Sequence, residues 1–186
     1  IKFASRAADY NFYLTQAGAV FSILNLKQPE KSPFILNMKM LGANMQSEIE
    51  GIEESVTKSG YYPGNDQTEW LSEISNFQKV KFHRIYEGID LIFRSSEQKL
   101  EYDFRLAPEA DPNLIDIEFE GIKKVEIDRA GNLVFRFGGV KLHHQKPVAY
   151  QIIDGERREI NIEYKRSGKN RIGFKIGEYD KSKELI

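Results

Sequence analysis

The sequence predicts one antiparallel all-β domain with very little helix. Three observations predict this class: apolar and polar side chains alternate with period two, turn residues separate the alternating runs, and no long stretch shows the 3.6-residue period of a helix. The chain has 186 residues and a hydrophobic fraction of 40%, enough for a sizeable core. Since amphipathic sheets must bury their apolar faces, a two-sheet β-sandwich is expected, with a larger sandwich or partly closed barrel as the alternative.

The alternating runs mark the predicted strands. In each run one face is apolar and the other is polar, as in a sheet with one face in the core and one in water. The apolar sets are Tyr10, Phe12 and Leu14; Val80 and Phe82; Leu100, Tyr102, Phe104 and Leu106; Ile115, Ile117 and Phe119; Ile160, Ile162 and Tyr164; and Ile172, Phe174 and Ile176.

Turn residues join these strands. Asp154-Gly155 predicts a two-residue hairpin turn, because such turns need residues that tolerate a positive φ. Other predicted connections are Gln16–Gly18, the polar loop Gln28–Pro33, Ser95–Gln98, Ala130–Asn132, Gly138-Gly139 and Ser167–Asn170. Gly138-Gly139 is predicted as a turn rather than a phosphate cradle, because no helix start follows it.

The segment Ala43–Asn76 is the exception to the alternating pattern. It contains several turn-forming Gly and Pro residues and alternates only weakly, so it predicts a long, partly irregular excursion over the surface. Within it, Ser47–Glu54 is a candidate strand and Glu69–Ser75 a candidate helical turn. We expect residues 1–186 to form a single domain, with strands before and after the excursion pairing in one unit.

Composition bears on several function classes. The net charge of −1 and the scattered basic residues provide no contiguous stripe for nucleic acid, so no nucleic-acid partner is predicted. No apolar run reaches the ~20 residues of a membrane helix, so no membrane insertion is expected. The absence of Cys excludes disulfides and Cys-ligated zinc, and no cofactor is predicted. Because the chain begins at Ile1 rather than Met, it is expected to be a fragment, so the missing signal peptide is not evidence against export.

Two acidic side chains on one strand form the first candidate site. Glu101 and Asp103 point to the same side, with their Cα atoms ~7 Å apart from the strand rise. Such a pair can serve glycoside hydrolysis or Ca²⁺ binding. The competing interpretation is a solvated strand face, with Arg105 as the ionic partner. Asp116, Glu118 and Glu120 similarly predict a solvent-facing stripe that discourages edge-to-edge pairing.

A loop around the single Trp forms the second candidate site. Asn65 and Asp66 supply turn-forming and oxygen-bearing side chains, and Trp70 follows four residues after Asp66. Trp70, with Tyr61 or Tyr62, can stack on a sugar ring. The competing interpretation is an Asx-type turn beside a Trp that plugs the base of the long loop.

No metal site is predicted. His143 and His144 are adjacent in a predicted strand and therefore point to opposite faces, while His83 stands alone. A hydrolase elbow of the Gly-x-Ser-x-Gly type is absent from the sequence.

An ordered set of short strings carries a family resemblance over nearly the whole chain. The strings are Ile1–Ser5 with Asp9–Thr15, Met40–Asn44, Ile49–Gly51, Tyr62–Asp66 with Trp70, Tyr86–Leu91, Leu100–Phe104, Ala107–Pro112, Lys146–Gln151 and Tyr179–Ser182. Together they resemble the N-terminal domain of large bacterial surface proteins that carry SBBP-type β-propeller repeats. The chain departs from that pattern in lacking a Gly before Tyr10 and in having Glu184 where Pro is common.

The resemblance implies a bacterial, exported module at the cell surface or outside the cell, placed before a repeat region. It implies no activity. We therefore expect a non-catalytic structural or interaction module serving surface assembly or adhesion. Its expected partners are neighbouring domains, other surface proteins or glycans. Two alternatives remain open: a carbohydrate-binding module, and a glycan-directed hydrolase that uses a carboxylate pair.

Overall fold

The computed structural model describes residues 1–7, 9–25, 31–62, 64–96, 99–137 and 140–186. In these residues the chain forms sixteen strands and two 3₁₀ turns, at Gln67–Glu69 and Pro112–Leu114. The strands are β1 Phe3–Arg6, β2 Tyr10–Thr15, β3 Gly18–Ile23, β4 Phe34–Met40, β5 Ile49–Tyr61, β6 Leu71–Tyr86, β7 Ile89–Ser96, β8 Lys99–Leu106, β9 Ile117–Glu120, β10 Glu126–Ile127, β11 Leu133–Phe137, β12 Val140–His144, β13 Ala149–Ile153, β14 Glu156–Ile160, β15 Ile162–Arg166 and β16 Arg171–Ile176. The predicted all-β class with little helix is confirmed.

The strands form four antiparallel sheets. A seven-stranded sheet has the order β1-β2-β3-β4-β9-β16-β15, and a four-stranded sheet has the order β5-β6-β7-β8. A three-stranded sheet, β10-β11-β12, and the hairpin β13-β14 complete the set. The predicted pairing of strands before and after the excursion occurs at β4 and β9, where Met38 lies opposite Phe119.

The core lies between the seven-stranded sheet on one side and the four- and three-stranded sheets on the other. Aromatic pairs mark both halves of this interface. Phe12 packs on Phe93 of the four-stranded sheet with ring centroids 5.5 Å apart. Phe119 packs on Phe135 of the three-stranded sheet at 4.8 Å. The arrangement is sandwich-like and contains no closed barrel within the described ranges, as the predicted sandwich requires.

Period-two alternation places the core side chains as predicted. Phe82 and Ile117 are fully buried, at 0% exposure, while their neighbours Lys81 and Glu118 reach solvent. Full burial of one such side chain stabilises the fold by about 2 to 3 kcal/mol. At the predicted turn between β13 and β14, Asp154 and Gly155 have φ of 54° and 82°, the positive pair that this hairpin type needs.

The prediction of an irregular excursion at 43–76 is wrong for most of that segment. β5 and β6 form a long antiparallel hairpin, joined near its end by the 3₁₀ turn Gln67–Glu69. The candidate strand at Ser47–Glu54 begins at Ile49 and continues to Tyr61, and the candidate helical turn at Glu69–Ser75 is largely strand.

Two features of the hairpin explain why its sequence does not alternate. Glu53 and Glu73 adopt positive φ of 58° and 63°, and the strand register shifts between Glu54 and Tyr61. Such irregularities reverse the direction of side chains along a strand. In addition, most residues of this part are exposed on both faces, so burial imposes no apolar period.

The outer part of this hairpin, residues 53–78, is called the arm. β7 pairs with β6 from Lys79 to Tyr86, and within the described residues no third strand pairs with the hairpin beyond Lys79. From Glu53 to Tyr61 the arm is about 26 Å long at the usual strand rise. Its base is held by Phe77, whose ring packs edge-on against Phe3 of β1 with centroids 5.9 Å apart.

One predicted strand is divided in the structure, and three predicted connections lie at least partly outside the described residues. The run Ile160–Tyr164 is two strands rather than one, because the chain leaves the β13-β14 hairpin at Asn161 to enter the seven-stranded sheet. The predicted connections Gln28–Pro33, Ser95–Gln98 and Gly138-Gly139 fall wholly or partly outside the described residues. Over the described ranges, none of the helices has the length and apolar character needed to cross a membrane.

Candidate functional site

The acidic pair Glu101 and Asp103 lies on the outer face of the four-stranded sheet. Arg94 stands directly opposite Glu101 on β7 and contacts both carboxylates: its Nη2 is 3.0 Å from Glu101 Oε2, and its Nε is 3.0 Å from Asp103 Oδ2. The Nε–H is not aligned for a hydrogen bond, so the second contact is ionic. The expected partner Arg105 forms no ion pair with any described residue. The pair therefore fits the interpretation as a solvated strand face, but its ionic partner is Arg94 rather than Arg105.

The same face carries a further ion pair and a further hydrogen bond. Lys81 Nζ lies 2.8 Å from Asp90 Oδ2, and His83 Nε2 lies 2.8 Å from Glu50 Oε2. Burial opposes ionisation of Asp90, but hydrogen bonds from the Arg84 N–H and Lys81 outweigh it and lower the pKa of Asp90. Beneath these side chains Ile92 is only 8% exposed. Paired polar side chains on this face therefore cover an apolar centre.

The second predicted group, Asn65, Asp66 and Trp70, lies at the end of the arm. Asp66 Oδ1 accepts hydrogen bonds from the Thr68 N–H at 2.9 Å and the Thr68 hydroxyl at 2.7 Å. The hydroxyl bond, followed by the backbone bond, lowers the pKa of Asp66. Asp66 is therefore the N-cap of the 3₁₀ turn, which agrees with the predicted Asx-type turn.

Trp70 does not plug the base of a loop, as the competing interpretation supposed. It is 39% exposed at the far end of the arm, where its ring meets Tyr62 edge-to-face with centroids 5.4 Å apart. The base of the arm is filled by Phe77 instead. The two predicted groups remain separate, because β8 pairs with β7 and takes no part in the arm.

The arm exposes further apolar side chains that sequence reasoning missed. Val56 is fully exposed, Leu71 is 57% exposed and Ile74 is 36% exposed. Tyr61, Tyr62 and Trp70 are exposed as well; Tyr61 lies opposite Leu71 in the strand pairing, and Tyr62 contacts Trp70. The sequence does show these apolar residues within an otherwise polar segment. Without the hairpin, that pattern predicted only a loop. Exposed apolar residues are ordinary when they occur singly, whereas six of them lie on the arm.

Two open clefts lie at the other end of the four-stranded sheet, and neither includes a predicted site residue. The first, of about 710 Å³, is lined by Gly42, Asn44, Gln46, Ser47, Glu48, His83, Arg84, Tyr86, Glu87 and Leu114. The second, of about 630 Å³, includes Lys165, Lys175 and Lys181 around the half-buried Phe174, Ile176 and Tyr179. We call the second the lysine cleft.

The three His residues have separate environments, as predicted. His143 faces Asp128 with Nδ1 3.8 Å from Oδ2, while the adjacent His144 points into the core. Within the described residues, no group of three or more His, Cys, Asp or Glu side chains is placed to hold a metal ion.

Three of the strings that carry the family resemblance meet at the end of the sandwich opposite the arm, namely Ala107–Pro112, Lys146–Gln151 and Tyr179–Ser182. Gln151 is 1% exposed; its Nε2 donates to the Asp180 carbonyl at 2.8 Å, and its Oε1 accepts from the Asp180 N–H at 2.9 Å. The Glu109 N–H donates to the Lys181 carbonyl at 2.8 Å. Strings distant in sequence therefore form one connected structural unit.

Comparison with known proteins agrees with the ordered strings. A family model described as a domain of unknown function (DUF7948) matches residues 1–186. The chain belongs to this family. No curated protein and no solved structure matches it.

Proposed function

We propose that this domain is a non-catalytic interaction module of a larger bacterial surface protein, and that the arm is its binding element. The observation that carries the proposal is the arm: a two-stranded ribbon that extends beyond the sandwich and exposes Val56, Tyr61, Tyr62, Trp70, Leu71 and Ile74. Tyr and Trp are enriched at the energetic centres of protein interfaces.

The physical state of the arm supports this role. A two-stranded ribbon without a neighbouring sheet is marginally stable in water, because it buries little apolar surface. A partner that covers Trp70 and Leu71 stabilises the ribbon and removes exposed apolar area from water. On the outer face of the four-stranded sheet, by contrast, Arg94 contacts both Glu101 and Asp103.

Site-specific photo-crosslinking tests the binding role. A photoreactive amino acid at Tyr62 or Leu71, in the full protein and in its native cells, is expected to give discrete adducts. The same group at Arg105, an exposed position on the four-stranded sheet, is the matched control. Equal adducts from Arg105, or none from either arm position, would contradict the role of the arm.

A carbohydrate-binding function is the second candidate, because Trp70 and Tyr62 lie beside Asp66 at an exposed tip. The rings are 83° apart, so the pair offers one ring face and one edge rather than a flat platform. Glycan-array binding that is lost in Trp70→Ala but kept in Tyr150→Ala would favour it. The hydrolase alternative draws no support from Glu101 and Asp103, since Arg94 engages both carboxylates on an open face.

The location outside a bacterial cell and the position before SBBP-type repeats are parts of the proposal that rest on the family resemblance. Protease treatment of intact cells tests the location. An epitope inserted at the Asp154-Gly155 turn is expected to be cleaved from intact cells. Protection of that epitope until the cells are lysed would contradict an exposed location.

A further inference from the structure

The arm belongs to a strongly acidic segment. Residues 40–78 carry seven acidic side chains and one basic side chain, Lys58, and so have a formal charge of −6 in a chain whose total is −1. Lys58 is itself paired with Glu54. Towards the tip, Asp66 and Glu73 are exposed and form no ion pair with described residues. The tip therefore combines negative charge with Tyr61, Tyr62 and Trp70.

The lysine cleft has the complementary character. Lys165 and Lys181 at its rim are exposed and form no ion pair with described residues, and the half-buried Phe174 and Tyr179 provide its apolar floor. Glu109 and Asp111 also line the cleft and offset part of this charge, because hydrogen bonds from the Asn113 N–H and side-chain amide favour the ionised Asp111 carboxylate. Three Lys against two carboxylates leave the lining with a formal charge of +1.

The surroundings of the cleft add positive charge. The β15-β16 hairpin, residues 162–176, carries five basic side chains and one acidic side chain, a formal charge of +4. Arg171 pairs with Asp116 and Lys175 with Glu163, so Lys165, Arg166 and Lys169 carry the excess. Long-range attraction between oppositely charged surfaces steers association and sets its orientation.

The two surfaces lie at opposite ends of the molecule. β6 runs from Leu71 at the arm to Tyr86, which pairs with Ile89 at the start of β7. Ile89 also pairs with Leu106 at the end of β8, so the cleft segment that follows, residues 109–113, lies at the end away from the arm. Because a chain cannot place its arm in its own cleft, such a contact joins two molecules.

From this geometry we infer that the domain associates head to tail, with the acidic arm tip of one copy in the lysine cleft of the next. This inference rests on the proposed role of the arm as the binding element. The contact uses two different surfaces and leaves one of each unoccupied at the ends. Contacts of this kind build rings or open chains rather than symmetric dimers.

Sedimentation velocity with charge-swapped variants tests the inference. The wild-type weight-average mass is expected to rise with concentration at about 20 mM NaCl and to return to the monomer value at about 500 mM, where the Debye length is short. Asp66→Lys with Glu73→Lys reverses the arm, and Lys165→Glu with Lys181→Glu reverses the cleft. Each double variant alone is expected to associate at least about tenfold more weakly than wild type, because like charges then face each other.

Mixing the two double variants is the decisive measurement. The basic arm then fits the acidic cleft, and the acidic arm fits the basic cleft, so association is expected to return at low salt. Glu156→Lys with Glu159→Lys on β14 makes the same change in net charge outside both surfaces and is expected to associate like wild type. All four residues that are changed in the arm and cleft are exposed, and circular dichroism checks that each variant folds.

A wild-type domain that stays monomeric at all concentrations in low salt would overturn the inference. So would association that survives reversal of the arm, or a mixture that stays monomeric. If one of these outcomes occurs while the arm still gives photo-crosslinks to a different protein, the head-to-tail inference fails but the proposed function does not. The arm then has another binding partner. Loss of the crosslinks as well removes the proposed function too.

Discussion

At the scale of single residues, His144 occupies the place where three sheets meet. Its ring stacks on Tyr102 of β8 with centroids 5.3 Å apart, and its Nδ1 lies 2.7 Å from the hydroxyl of Tyr164 on β15. The Tyr164 hydroxyl also donates to the Gln145 carbonyl at 2.9 Å. A neutral His144 ring with its proton on Nδ1 then donates to the Tyr164 oxygen, so the ring N–H, the hydroxyl and the carbonyl are all hydrogen-bonded. Burial lowers the pKa of His144 to about 4.

The first prediction concerns pH. Since the pKa of His144 is about 4 in the fold and ~6.5 in the unfolded chain, the unfolded state binds more protons between these values. The contribution to stability is therefore complete above about pH 6.5 and is lost as the pH falls towards 4, by up to about 3 kcal/mol. Urea unfolding across this range is expected to show a weaker pH dependence in His144→Phe than in wild type.

His143→Ala is the matched control, because His143 is exposed on the opposite face. It is expected to unfold with the wild-type pH dependence. Identical profiles for wild type and His144→Phe would show that His144 is not held neutral by the fold.

The second prediction separates Arg94 from the partner expected from the sequence. Arg94→Met leaves Glu101 and Asp103 without their cation and is expected to lower the free energy of unfolding by about 0.5 to 1 kcal/mol, as for a partly exposed ion pair. Arg105→Met is expected to change it by less than about 0.5 kcal/mol. Urea unfolding in low and high salt measures both, and equal effects would contradict the assignment of Arg94.

At the scale of elements, the arm depends on close packing at its base. Gly51 of β5 lies against the ring of Phe77, and a Cβ built at Gly51 would lie 2.5 Å from the ring carbon Cγ. Phe77 in turn packs on Phe3 of β1. The junction thus couples the arm to the seven-stranded sheet through one glycine and two aromatic rings.

The third prediction follows from that junction. Gly51→Ala is expected to destabilise the domain by about 1 to 3 kcal/mol through overpacking and to increase proteolysis within the arm. Adding Phe77→Leu to Gly51→Ala makes room for the methyl group and is expected to recover part of the loss. Gly64→Ala is the control for packing, because no heavy atom lies within 4 Å of a Cβ built at Gly64. The φ of 56° at Gly64 adds local backbone strain to this variant. No difference between Gly51→Ala and wild type would contradict the packing account.

At the scale of the whole molecule, the last residues of the chain join separate sheets. Leu185 pairs with Leu106 of β8, and Ile186 pairs with Tyr150 of β13. The buried side chain of Gln151 holds the preceding turn, with Nε2 2.8 Å from the Asp180 carbonyl. The Gln151 amide and the backbone bonds of Leu185 and Ile186 together hold the segment that connects the four-stranded sheet to the β13-β14 hairpin.

The fourth prediction tests this connection. Gln151→Met keeps the side-chain volume but leaves the Asp180 N–H without its acceptor, at a cost of about 1 to 3 kcal/mol, while the Asp180 carbonyl keeps the Lys183 N–H as a donor. Hydrogen exchange at the Asp180 amide is expected to become faster. Gln46→Met, at an exposed position, is expected to leave both measurements unchanged. Unchanged hydrogen exchange at the Asp180 amide in Gln151→Met would contradict the role of Gln151 in holding this turn.

Much of the fold was predictable from local pattern. The alternation around Val80 and Phe82 predicts which side chains are buried, because period two determines the two faces of any strand. The turn at Asp154-Gly155 was predictable because its residues tolerate positive φ. The separate environments of His143 and His144 followed from the same geometry.

The candidate site was only partly predictable. Trp70 and Asp66 were identified from the sequence, but their place at the tip of an exposed arm was not, because bulges and two-sided exposure remove the alternation from β5 and β6. The assignment of Arg94 rather than Arg105 depends on the register between β7 and β8.

The sequence by itself thus determined the all-β class, the faces of the regular strands and the tight turns, since each depends on neighbours in the chain. Tertiary structure alone decided the arm, the lysine cleft and the meeting of Tyr102, His144 and Tyr164. The arm lacks alternation because bulges and two-sided exposure remove it. The cleft and the Tyr102–His144–Tyr164 cluster join residues that are distant in sequence, and their contacts depend on strand order and register, which local pattern leaves open.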